Sequence, residues 1–231
     1  MINLLVLVVS CNKNKNLWDS ILKKGIDNLI IVCGAKLAND FTLDDKILYV
    51  NCRDSYDALP EKMICTYNAI ANINKFRDIT HVIKIDDHDT IFTKDTIERL
   101  TKHGTQLLLK NHYIGQHVYN RCVGSYHIGR CPGSKWNTRL YEGDNCAYIA
   151  GGFSYILDRF AIDKIIKEYS IHNLDLIREK HIYEDLMVAL IFKKHDIYPI
   201  KAYYGIGSTD PLYRDRVPIN IRNAFYNLPI Y

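Results

Sequence analysis

Much that would sort this chain into a class at a glance is missing from it. No Pro-, Gly- or Ser-rich stretch divides the 231 residues, and no internal repeat is found, so a single domain is expected. The opening apolar run Leu4–Val9 has no basic region before it and no A-x-A-like site after it, so no secretory signal is expected. The same run is far too short to span a bilayer. A soluble, cytoplasmic chain with no transmembrane segment is therefore expected, in viral or host cytoplasm alike. A clean C-x-x-C pair is also missing: the seven cysteines are odd in number and scattered, as suits a reducing compartment. Cys33 and Cys52 lie in or beside apolar runs, where a thiol acts as a small hydrophobe. The net charge of +4 falls short of a nucleic-acid-binding surface, so no nucleic-acid partner is expected. It suits an anionic small ligand.

What is present is a core and an alternation. Hydrophobic residues make up 48% of the chain, enough for a substantial interior. Ile2–Val9, Asn28–Cys33, Lys46–Val50 and Thr80–Ile85 are apolar throughout and read as strands buried on both faces. Helical patterns separate them: Leu17–Lys24, stopped by Gly25; a helix opening near Pro60 with Met63, Tyr67 and Ile70 on one face; and Thr93–Lys102 with Thr93 as N-cap. This order predicts an α/β fold with a mainly parallel sheet flanked by helices, whose ligands bind beyond the carboxyl ends of the strands. Lys110–Cys146 lacks periodicity and reads as a long functional loop. Ala147–Leu157 is apolar around Gly151-Gly152, and helices are expected at Arg159–Tyr169 and Tyr183–Lys194. The tail from Gly205 to Tyr231 is polar, aromatic and irregular.

The segment Lys84-Ile85-Asp86-Asp87-His88-Asp89 places three carboxylates within four residues at a strand end. Unpaired, they would repel one another and raise their own pKa values. A hard divalent cation, Mn²⁺ or Mg²⁺, relieves that repulsion and takes its remaining ligands from phosphate oxygens. A sugar nucleotide carries such phosphates, and the bound cation stabilises the charge on a departing diphosphate. The plain alternative is a solvated turn capping the helix near Thr93. Glu184-Asp185 opens a helix, whose dipole favours ionised carboxylates there; the pair either caps that helix or supplies a base. Gly151-Gly152 allows close backbone approach to a sugar or forms a bulge. In the central loop Tyr126, Trp136 and Tyr141 are candidates to stack on sugar rings, and Lys110, Arg121, Arg130, Lys135 and Arg139 to meet phosphates. Cys122, His127 and Cys131 are ligand types that a zinc site uses, though without its usual spacing.

Four segments resemble, in order, the β-1,3-galactosyltransferase-like branch of the GT-A glycosyltransferases, which includes Fringe-type enzymes. Asp54-Ser-Tyr56-Asp-Ala-Leu59-Pro-Glu-Lys62 is similar to its D-x-Y-x-x-L-x-x-K segment. Lys84-Ile-Asp86-Asp87 resembles its K-x-D-D-D box, Tyr148–Leu157 its Tyr/Gly-rich acceptor-side strand, and Glu184-Asp185-Leu186 its E-D-V motif. The resemblance implies a single GT-A (Rossmann-like) domain, with residues 1–105 as the nucleotide-binding half and 106–231 as the acceptor-binding half. It implies a hexosyltransferase that is metal-dependent and inverts at the anomeric carbon. The donor would be a UDP-sugar and the acceptor a hydroxyl of a glycan or glycoconjugate.

Residue roles follow from the same resemblance. Asp185 is the implied base, with Glu184 beside it. Ser10 (by its strand-end position), Asp54, Lys62, Lys84, Asp86, Asp87, Gly151 and Gly152 line the donor site. The family's third aspartate meets His88, or Asp89 if one residue is inserted, so metal ligation is divided among Asp87, His88 and Asp89. The membrane anchor and lumenal disulfides of Golgi members are not expected, which suits a soluble relative of viral or bacterial type. Two alternatives remain. A sugar nucleotidyltransferase would carry a Gly-rich phosphate loop after strand one, where Cys11–Lys15 has no glycine. A non-catalytic carbohydrate- or nucleic-acid-binding module would use the central loop.

Overall fold

A computed structural model describes residues 2–88 and 90–208. Asp89 and nearly all of the irregular tail expected from Gly205 onward therefore lie outside the described residues. The strands are β1 Leu4–Val9, β2 Leu29–Ala35, β3 Phe41–Asp44, β4 Ile47–Asn51, β5 His81–Asp86, β6 Thr90–Ile91, β7 Tyr113–Gly115, β8 Val118–Tyr119, β9 Tyr148–Ile149, β10 Tyr155–Asp158, β11 Ile200–Lys201 and β12 Gly207–Ser208. The helices are α1 Trp18–Leu22, α2 Leu59–Asn72, α3 Lys94–His103, α4 Thr105–Lys110, α5 Arg159–Glu168, α6 Leu174–Lys180 and α7 Glu184–Lys193.

Eight strands form one sheet in the order β11-β7-β10-β5-β1-β2-β4-β3. Its centre is parallel: β1 pairs with β2 and β5, and β2 pairs with β4, all in the same direction. Two strands run against it, β3 beside β4 and β10 between β5 and β7. The fold is the α/β, GT-A-like arrangement read from the sequence, with β3 and β10 as additions. The β3–β4 hairpin turns on Asp45, whose φ of 49° is a left-handed value that Asp tolerates at a turn.

The apolar strands bury both faces because successive side chains alternate. Leu5, Leu7 and Val9 of β1 face a core built with α2, α5, α6 and α7. Val6 and Val8 face a second core with Trp18 and Ile21 of α1, Ile97 and Leu100 of α3, and Leu108 of α4. Thr93 caps α3, its hydroxyl accepting the Thr96 N–H. That capping role is thus filled without the carboxylates of the acidic box.

The apolar stretch Ala147–Leu157 is two strands in different sheets. β9 pairs with β8 and β10 joins the main sheet, while Gly151, Gly152 and Phe153 turn between them. The central segment also differs from an open loop carrying sugar-stacking rings. Cys122, Cys131, Trp136 and Tyr141 pack with Ile182, Tyr183 and Leu186 in a third apolar cluster. Trp136 and Tyr141 are buried, so neither ring is open to a sugar; Tyr126 remains exposed. Both ring nitrogens of His127 are hydrogen-bonded, to the Tyr183 hydroxyl at 2.6 Å and the Arg139 carbonyl at 2.8 Å. All seven cysteines are free thiols. Among the described residues, no helix is long and apolar enough to cross a membrane.

Candidate active site

The parallel strands β1, β2, β4 and β5 end on one edge of the sheet, and buried polar contacts tie their ends together. Ser10, just past β1, donates its hydroxyl to Asp87 Oδ2 at 2.6 Å and accepts the Trp18 indole N–H at 2.7 Å. Asn14 donates to the same Asp87 oxygen at 2.9 Å, and His88 Nδ1 lies 2.9 Å from Oδ1. Lys62, buried on α2, donates to the Ser10 carbonyl and to Asp54 Oδ1, both at 2.7 Å. Asp54 also accepts the backbone N–H groups of Asn12 and Gly34 at 2.7 and 3.1 Å. Burial pulls the Asp54 carboxyl up, but Lys62 and these two N–H donors hold it below its ordinary value. Asp54 and Lys62 are therefore turned into the scaffold and fasten the ends of β1 and β2 to α2.

A second constellation sits between β5, the Gly151-Gly152 turn and α7. Lys84 is 1% exposed, yet its ammonium lies 2.6 Å from Asp86 Oδ1, 3.5 Å from Glu184 Oε2 and 2.8 Å from the Gly151 carbonyl. Burial opposes the charge, but Asp86 and then Glu184 more than offset it, so its pKa lies above the ordinary lysine value. Glu184 is equally buried. Its Oε1 accepts a short hydrogen bond from the Tyr155 hydroxyl, which lies 2.8 Å from the Tyr67 hydroxyl. Burial raises the Glu184 pKa to about 7 against the pull of Lys84. Asp185, half-buried, accepts the Gly151 N–H at 3.1 Å and the Leu186 N–H at 2.8 Å. Burial raises its pKa as well, with Gly151 and Lys84 opposing. Gly151 has no room for a side chain: a Cβ there would lie 2.8 Å from Glu184 Oε2 and 3.3 Å from Lys84 Nζ.

Because Glu184 titrates higher in the folded chain than at its ordinary value of 4.5, the native state holds its proton longer than the unfolded state does. The linkage sign follows: Glu184's contribution to stability falls as pH rises from 4.5 through about 7. Glu184→Gln removes that titration. The drop in melting temperature across this window should be shallower in the variant; parallel pH profiles would contradict the assignment.

Lys84, Asp86, Gly151, Gly152, Glu184 and Asp185 all line one cavity of about 370 Å³, roofed by the central segment. A shallower cleft of about 610 Å³ lies beside it, at the ends of β2 and β4, lined by Asn12, Gly34, Lys36, Arg53 and Asp54. Ser10 and Asp87 sit among the strand-end contacts, and His88 is exposed. Among the described residues no cluster of three His, Cys, Asp or Glu side chains is arranged to enclose a metal ion. The donors do fit a cation held largely by a ligand's phosphates: Asp86 Oδ2 has no partner among the described residues and lies on the Gly152 side of the cavity.

The model of the galactosyltransferase family matches residues 35–202, well over half of the sequence. The chain belongs to the galactosyltransferase family. It is accordingly a glycosyltransferase, which sets aside the nucleotidyltransferase and the non-catalytic module. A search of curated proteins found no significant match. In this galactosyltransferase-family chain the matched stretch opens at the last residue of β2 and contains all four motif segments, while Ser10 and β1 precede it.

Sequence reasoning missed Trp18 and Asn14, which hold Ser10 and Asp87, and Tyr67, which meets the Tyr155 hydroxyl that holds Glu184. Tyr67 is one of three apolar-pattern positions on α2, and nothing in that pattern says that its hydroxyl meets Tyr155. Trp18 and Asn14 reach the site only because the chain after β1 folds back beneath Asp87.

Proposed function

We propose that this chain transfers a sugar from a UDP-sugar to a glycan hydroxyl with inversion, in a metal-dependent reaction whose base is Asp185. The observation that carries the reading is the meeting of two carboxylates at one cavity: Asp86, at the end of β5, and Asp185, at the start of α7, both line it. In this reading the nucleotide lies along the ends of β1, β2 and β4, where ligands of parallel sheets bind. The Asn12–Arg53 cleft supports that location.

Asp185 suits the base better than Glu184 does. Both Glu184 oxygens are occupied, by Tyr155 and Lys84, and its side chain is only 2% exposed. Glu184 is a positioning residue: it holds Lys84, and Lys84 holds Asp86. Asp185 is only half-buried and lines the cavity, and its two oxygens are each oriented by one backbone N–H, of Gly151 and of Leu186, which leaves room for an acceptor hydroxyl. It accepts the proton of the acceptor hydroxyl, whose oxygen attacks the anomeric carbon as the bond to the diphosphate breaks. Opposite-side attack inverts the configuration. Asp86, whose Oδ2 faces the Gly152 side of the cavity, would hold Mn²⁺ or Mg²⁺, with Asp87 joining it on release of its present partners and His88 and Asp89 adjoining. When bound, the cation stabilises negative charge on the leaving diphosphate.

The test is a thermal shift. UDP with Mn²⁺ should raise the melting temperature, UDP alone should raise it much less, and Asp86→Asn should lose most of the Mn²⁺-dependent part. An equal shift with and without Mn²⁺, or an unaltered one in Asp86→Asn, would count against metal dependence.

A further inference from the structure

Resting on that reading of the site, we infer that the acceptor carries an anionic substituent, a carboxylate, sulfate or phosphate, which Arg121 and Arg130 hold at the mouth of the cavity while its hydroxyl meets Asp185. The cavity is divided by charge. Its floor carries Asp86, Glu184 and Asp185 around the single ammonium of Lys84, and its rim carries the two arginines. Arg53, Arg99 and Arg178 are each paired with carboxylates. Neither Arg121 nor Arg130 has a carboxylate partner among the described residues, although both line the cavity and are exposed.

Arg130 is held in place by aromatic faces. Its guanidinium lies 4.1 Å from the Tyr126 ring centroid and 5.9 Å from that of Tyr56. The guanidinium also hydrogen-bonds the Tyr56 and Tyr126 side chains, which orients it. A guanidinium has five N–H donors, and those left over can meet an anion, the chemistry that favours Arg for carboxylates, sulfates and phosphates. The position argues for the acceptor over the donor's diphosphate. Val123, two residues from Arg121, accepts the Tyr183 hydroxyl at 3.1 Å, and Tyr56, beside Arg130, packs against the cluster that holds Tyr183 and Leu186, close to Asp185 in the chain. The arginines thus lie on the side of the base, whereas the donor's phosphates belong with Asp86 and Asp87. Tyr119, Tyr126 and Tyr148 line the space between, where a sugar ring can stack. A neutral glycan would leave both cations unanswered. An acidic one spans rim to floor with each end matched in charge.

The experiment compares p-nitrophenyl β-glucoside with its glucuronide, 6-sulfate and 6-phosphate counterparts, first by direct binding to the whole chain without donor. At least one anionic glycoside should bind about tenfold or more tightly than the neutral one, as one charge-assisted pair allows. That preference should shrink with salt and collapse toward unity in Arg121→Gln/Arg130→Gln. Which anion leads identifies the substituent. Equal affinity of the wild type for all four glycosides overturns the proposal, and does so even if the double variant fails to fold. A preference that survives in a folded double variant overturns the assignment to these arginines. UDP release from UDP-sugars, measured separately, tests the transfer reaction itself, so its failure is distinguishable from a failure of acceptor charge selection.

Discussion

Asp185→Asn should lower kcat by about 100- to 10,000-fold, the usual contribution of a positioned general base. The amide cannot take up the acceptor proton. It also cannot accept from both the Gly151 and the Leu186 N–H groups, which now approach different carboxylate oxygens. One backbone donor loses its acceptor, so stability should fall by about 1–2 kcal/mol, far too little to account for the rate. Donor binding should survive, because Asp86 and the strand ends are untouched. Acceptor-dependent UDP release and the UDP thermal shift, measured on the same preparation, separate these effects. Full transfer activity in the variant would move the base elsewhere, with Glu184 next in line. The pH profile gives a second check. A base works only when ionised, and burial raises the Asp185 pKa above its ordinary 3.8, so the acid limb of the rate should sit higher than an exposed aspartate would place it.

Lys84→Met should be the most destabilising of the substitutions considered, by about 3–5 kcal/mol, as expected when one partner of a buried ion pair is removed. Among the described residues Lys84 is the cation between Asp86 and Glu184, with Asp185 nearby, and it is 1% exposed. Without it, Glu184 is driven further toward its protonated form. Binding a proton relieves part of the cost at low pH and none of it at high pH, so the loss should be larger at about pH 8 than at about pH 5.5. Unfolding in urea at the two pH values measures this directly. A pH-independent loss, or none, would mean that the ammonium is not what neutralises the cluster. Donor binding should fall in parallel, since Asp86 loses the contact that fixes it.

The β1, β2, β4 and β5 strands were legible because each is a short apolar run whose residues alternate between two cores, and a parallel central sheet buries both faces. Thr93 was legible as a cap because its hydroxyl needs only the N–H three residues on. The strand β10 was partly hidden: the apolar stretch around it continues across Gly151-Gly152, and periodicity does not reveal that the turn sends its halves into different sheets. Trp136 and Tyr141 looked like surface rings because their partners, Ile182, Tyr183 and Leu186, lie more than forty residues away in the chain.

The sequence by itself determined the family, the α/β class and the motif segments that meet at the cavity, since short-range patterns and motif order are properties of the chain alone. Only the tertiary structure decided what each charged group faces. Asp54 and Lys62 point into the scaffold and bind each other. Glu184 and Asp185, neighbours in sequence, have different surroundings: one is enclosed by Tyr155 and Lys84, the other is open to the cavity. The reason is physical: the ionisation and reach of a side chain depend on burial and on partners brought together by distant segments, and Lys84, Gly151 and Glu184 become neighbours only when the sheet closes.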